Sequence, residues 1–103
     1  RAVAYDGYVY TVGSNNDPEA DVQEQTRRSL DAIEKNLIEG GSGKDRMLSV
    51  QVFMADISQK ALMDEVWVDW IGDDPHTWPQ RACVGAPLAP NTLVEIVVKA
   101  AQK

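Results

Sequence analysis

Arg81 and Glu95 are the residues of this 103-residue chain whose type and setting could do chemistry. Both stand among apolar residues in "PQRACVGAPLAPNTLVEI", Pro79 to Ile96, which reads as two short strands joined by a Pro-rich turn. A guanidinium offers a fork of N–H donors that fits two carboxylate oxygens. A carboxylate can orient water or move a proton. The plainer reading is a cross-strand ion pair on an exposed edge, which contributes little. If these strands pair antiparallel, alternation sets Arg81 and Cys83 on one face. Glu95, Val97 and Lys99 then lie opposite Val94, Ile96 and Val98.

Other chemically suggestive residues have simpler explanations. "GGSGKD" resembles a phosphate loop only superficially, because here the order runs helix to strand and Asp45 follows the lysine. It reads as a helix end and a turn. His76 beside Asp73 and Asp74 lacks a second His or Cys at ligand spacing, so no metal site is expected. Cys83 has no histidine nearby in sequence to activate it and reads as a small strand hydrophobe. Trp67, Trp70 and Trp78 invite ligand stacking. Spacing makes Trp70 a core residue, whereas Trp67 falls off that stripe and is free to meet an interface or pocket.

These residues must be positioned by a small, acidic, ordinary globular sequence: 44% hydrophobic, 25% charged, net charge -6. Its length suits one domain, residues 1–103. The acidic balance disfavours nucleic acid or an anionic membrane as partner. A single cysteine fits a reducing compartment, and a cytoplasmic location is expected. The chain starts at Arg1 without an initiator Met, so residues upstream of it are expected.

"AVAY", "DG" and "YVYTV" predict a hairpin. Asp17 and Pro18 read as the start of a helix carrying Val22, Thr26, Leu30, Ile33 and Leu37 on one stripe and ending at Gly40 and Gly41. "MLSVQVFMA" predicts a strand with Leu48, Val50, Val52 and Met54 on one side. Ser58 can cap a second helix with Leu62, Val66 and Trp70 inward. The order β-β-α-β-α-β-β implies an α+β two-layer sandwich. Two helices cover one sheet face, so the other apolar face points to oligomerisation.

"YTVGSNNDPEADVQEQTRRSLDAIEKNLIEGG", "LSVQVFMADI", "DEVWVDWI" and "PQRACV" with "VEIVVKA" together resemble the RidA/YjgF family of reactive-intermediate deaminases, nearest its YoaB-like branch. The resemblance implies a chorismate-mutase-like fold and a homotrimer whose bare sheet faces form a central barrel, with clefts between subunits. It implies hydrolysis of enamines and imines such as 2-aminoacrylate to 2-keto acids and ammonia, a metabolite damage-control activity. No metal or organic cofactor is implied. Arg81 matches the arginine that holds the substrate carboxylate, Glu95 the carboxylate that orients water, and Cys83 a pocket-lining position. Val12 and Ser14 flank Gly13 where the family carries Ser-Gly-Gln, and Ser14 is the polar group left to face the amino end. Asp64 stands where many members carry Asn, and Trp67 lies in the matching "EVW" segment. The pocket tyrosine of a Gly-Pro-Tyr segment has no counterpart. The alternatives are a non-catalytic trimer that binds small carboxylates and an RNA-acting protein; the acidic charge argues against the second.

Overall fold

A computed structural model describes every residue from Arg1 to Lys103. The elements run β1 (Ala2–Tyr5), β2 (Tyr8–Ser14), α1 (Val22–Glu39), β3 (Met47–Met54), α2 (Lys60–Ile71), β4 (Gln80–Gly85) and β5 (Val94–Ala101). This is the expected order. Asp6 and Gly7 turn the first hairpin with φ of 52° and 83°, the left-handed pair that a tight two-residue hairpin requires.

Helix α1 buries the predicted stripe of Val22, Thr26, Leu30, Ile33 and Leu37. It starts later than Asp17, however. Asp21 is the cap, its carboxylate accepting from the Glu24 N–H at 2.9 Å. Asp17 instead closes its own turn, accepting from the Glu19 N–H and from Arg28. The second of two capping residues wins because it immediately precedes Val22, the first residue of the helix and a buried one.

Two strand and helix phases also differ from the alternation expected. A bulge between Met47 and Ser49 turns Leu48 outward, and Met47 takes the inward place beside Val50, Val52 and Met54. In α2 the buried residues are Met63, Val66, Trp67 and Ile71, while Leu62 is exposed and Trp70 only partly covered. Val66 keeps its expected inward place, while its neighbours on the stripe shift by about one residue, or roughly 100° around the helix. Asp56, not Ser58, caps the 3-10 turn Ile57–Gln59 that leads into it. The Ser58 hydroxyl donates to Asp56 at 2.6 Å.

The five strands lie in the order β1-β2-β5-β3-β4. All pairs are antiparallel except β3 and β4. The last two strands are thus not partners, since β3 separates them. Helix α2 is the crossover of a β-α-β unit, and such a unit makes its strands parallel. The segment after β4 then carries β5 back into the gap between β3 and β2.

The helices cover one face, where Val9, Leu30, Ile33, Val50, Val52, Met63, Ile96 and Val98 are fully buried. Gly13 lets α1 approach closely: a Cβ there would meet the Ser29 carbonyl oxygen at 2.5 Å. The buried Gln25 amide clamps the chain just before β5, donating to the Asn91 carbonyl and accepting from the Leu93 N–H, both at 2.9 Å. The opposite sheet face leaves Val3, Tyr10, Val12 and Val84 exposed.

Candidate active site

Arg81 sits on β4, the edge strand, in register with buried Val50 of β3. Its side chain therefore turns to the helix layer. Only 21% of it is exposed. The guanidinium stacks over the Trp67 ring, with its central carbon 5.1 Å from the ring centroid. Its Nη2 donates to Asp64 Oδ1 at 2.7 Å, and Nη1 approaches the Met63 sulfur at 3.8 Å. Asp64 and Trp67 share one side of α2 because they are three residues apart.

The second oxygen of Asp64 accepts from Lys60 Nζ at 2.7 Å, an i,i+4 pair. Partial burial pushes the Asp64 carboxyl up, but the hydrogen bonds from Lys60 and Arg81 outweigh that and hold it below its ordinary 3.8. Cys83, two residues along β4 on the same face as Arg81, is half-buried. Burial pushes its thiol up, more than the nearby Arg81 and Lys60 charges pull it down. A protonated thiol is a poor nucleophile.

Arg81, Trp67, Val68, Ile71, Trp78 and Pro79 line a groove of about 480 Å³, with Gly72 and Asp73 completing it. Half of Trp78 remains exposed. Its indole N–H donates to the Gly72 carbonyl at 3.0 Å, fixing the ring as one wall. The groove thus offers a guanidinium beside aromatic and aliphatic surface, a combination suited to a small organic acid.

Glu95, Val12 and Ser14 lie elsewhere. Glu95 alternates with fully buried Val94 and Ile96, so it projects from the helix-free face. There it is flanked by Ser14 on β2 and Phe53 on β3. Val12 is on the same face, paired with Val97. Arg81 aligns with Val50 and Glu95 with Phe53, three residues apart on β3. The two are therefore offset by about 10 Å along the strand and separated by the sheet itself. The predicted residues fall into two groups: Arg81, Cys83, Asp64 and Trp67 on the helix side, and Glu95, Ser14 and Val12 on the open side.

The family described as Endoribonuclease L-PSP matches residues 1–102. The chain belongs to this family, the RidA/YjgF family. A RutC family protein of Haemophilus ducreyi is 35% identical over 99 residues, covering 94% of this chain and 83% of that protein. YoaB of Escherichia coli K12, also named a RutC family protein, is 34% identical over 100 residues and covers 96% and 86%. TdcF of the same organism, whose provisional name is reactive intermediate deaminase, is 30% identical over 72 residues, covering 70% of this chain and 56% of TdcF. Among solved structures, the YjgF family member NMB1025 of Neisseria meningitidis has a TM-score of 0.89 at 33% identity, covering 99% of this chain and 85% of that one.

Within this fold, sequence reasoning missed Lys60 and Met63, whereas Trp78, one of the tryptophans that invite stacking, does line the groove. The i,i+4 spacing of Lys60 and Asp64 was the available signal for the first. Met63 was hidden by the one-residue phase error in α2. Lys44 of the glycine-rich turn is tied down, donating to the Trp70 carbonyl at 2.7 Å and lying over that ring.

Proposed function

We propose that the protein is a hydrolytic deaminase that converts enamines and imines of the 2-aminoacrylate type to 2-keto acids and ammonia. The observation that carries this reading is the setting of Arg81: mostly buried, held over Trp67, and bordering a groove with apolar walls. Asp64 engages the guanidinium through one oxygen, which leaves other donors of the fork for an incoming carboxylate. The similarity to TdcF, by its name, supports the same chemistry.

The enamine first tautomerises to the imine. Arg81 binds the carboxylate and fixes the C=N carbon, replacing a bimolecular encounter with a positioned one. Glu95 orients a water and takes its proton as oxygen bonds to that carbon. Nitrogen takes that proton back from Glu95, which completes the carbinolamine. As its C–N bond breaks, the hydroxyl proton passes through Glu95 to nitrogen, so that ammonia leaves and the keto group forms. Ser14 pairs with Glu95 in the sheet, which supports assigning it the contact to the amino end. The reaction needs no metal or redox cofactor.

Because Arg81 and Glu95 project from opposite faces, they can share a substrate only if different copies supply them. A homotrimer whose open sheet faces meet in a barrel meets that requirement and covers Val3, Tyr10 and Val12. The test is keto-acid release from freshly generated 2-aminoacrylate, compared with Arg81→Ala. Equal rates would remove Arg81 from the reaction. Binding of 2-keto acids without turnover, undisturbed by Glu95→Gln, would mark a carboxylate-binding module instead.

A further inference from the structure

Asp64 takes part in no step of this hydrolysis, yet it is the centre of the charge cluster that borders the groove. It accepts from Arg81 through one oxygen and from Lys60 through the other, each at 2.7 Å. Within this cluster two cations face one anion, and the donors of Arg81 that Asp64 does not use are the free cationic groups. Asp73 is the carboxylate among the groove-lining residues and pairs with neither cation, and the groove holds no second unpaired cation.

We infer that Asp64 sets the ligand charge that the site accepts, cancelling one of two cations so that the site favours a monocarboxylate over a dicarboxylate. The inference rests on the proposed role of Arg81 as the carboxylate anchor. The carboxylate of a monoanion is met by the donors that Arg81 keeps free. The second carboxylate of a dianion meets no unpaired cation along the groove and lies in the field of Asp64 and Asp73, in a setting only partly open to water. Lys60 is 44% exposed, so salt and solvent moderate its share.

The substitutions form a charge series. Lys60→Gln removes a cation and leaves the Arg81–Asp64 pair intact. Asp64→Asn removes the anion with little change of shape. Binding of 2-oxobutyrate, a monoanion, and 2-oxoglutarate, a dianion, is measured calorimetrically for the native protein and both variants. Asp64→Asn is expected to tighten the monoanion about fivefold and the dianion roughly twenty-five-fold, because the electrostatic free energy scales with ligand charge. Lys60→Gln is expected to weaken both in the same proportion. A purely structural role for Asp64 would not move the ratio of the two affinities.

If Arg81→Ala abolishes binding while that ratio stays constant across the series, the inference fails and the anchor role stands. If Arg81→Ala binds as the native protein does, or if no form binds either acid, the anchor role fails and takes the inference with it. Should Asp64→Asn not fold, Lys60→Gln decides alone: a ratio that does not move toward the monoanion overturns the inference.

Discussion

Mixing two inactive variants tests whether Arg81 and Glu95 of different copies act on one substrate. Arg81→Ala and Glu95→Gln are each expected to lower turnover strongly, by about a hundredfold or more for loss of proton transfer. Arg81 faces the helices and Glu95 the open face, aligned with Val50 and Phe53 three residues apart on β3. One protomer therefore cannot bring both to one bound molecule. In a mixed ring of copies, a site works only where a Glu95→Gln copy supplies Arg81 and its neighbour, an Arg81→Ala copy, supplies Glu95. With equal amounts and random assembly each condition holds in about half of cases, so about a quarter of sites recover native geometry. The variants are co-refolded, and keto-acid release from 2-aminoacrylate is followed with a coupled dehydrogenase. Rates near a quarter of the native value are expected. Mixed oligomers no more active than their inactive parents would refute the shared-site argument.

Gly13→Ala is expected to cost about 1–3 kcal/mol by overpacking, seen as a lower midpoint in denaturant, because its Cβ would lie 2.5 Å from the Ser29 carbonyl oxygen and 2.8 Å from Ile33. An unchanged midpoint would mean that α1 can shift away from β2 without loss. Gln25→Ala strips partners from the Asn91 carbonyl and the Leu93 N–H and should cost about 2–4 kcal/mol, with faster hydrogen exchange at Leu93. Asp64 has a folded-state pKa below 3.8, so its ion pairs stabilise the fold above that value and the contribution is lost as pH falls through the lower folded value. Native protein should lose on the order of 1 kcal/mol or less of stability over that acid range that Asp64→Asn does not lose, measured by denaturant midpoint against pH.

Periodicity made much of this fold legible. The stripe from Val22 to Leu37 and the Asp6–Gly7 turn are local signals, and both are seen in the structure. Phase was harder to read where apolar residues crowd together. In "ALMDEVWVDWI" two neighbouring stripes are both apolar, and only packing against the sheet selects Met63 and Trp67 over Leu62 and Trp70. Leu48 likewise follows alternation until the bulge displaces it. The site residues were named from a motif, but a motif carries no faces. That Arg81 and Glu95 diverge follows from register, which aligns Arg81 with inward Val50 and Glu95 with Phe53 on the other face.

The sequence by itself determined the element order, the two-layer class, the family and the residues with chemical potential. Those properties follow from side-chain type and short-range spacing. Tertiary structure decided which of those residues can meet. Strand order and register are long-range properties, and together they moved β4 away from β5, set Arg81 against Asp64 and Trp67, and left Glu95 on the far side of the sheet. No local pattern encodes that lateral separation, because it arises only when β3 is packed between the two ends of the motif.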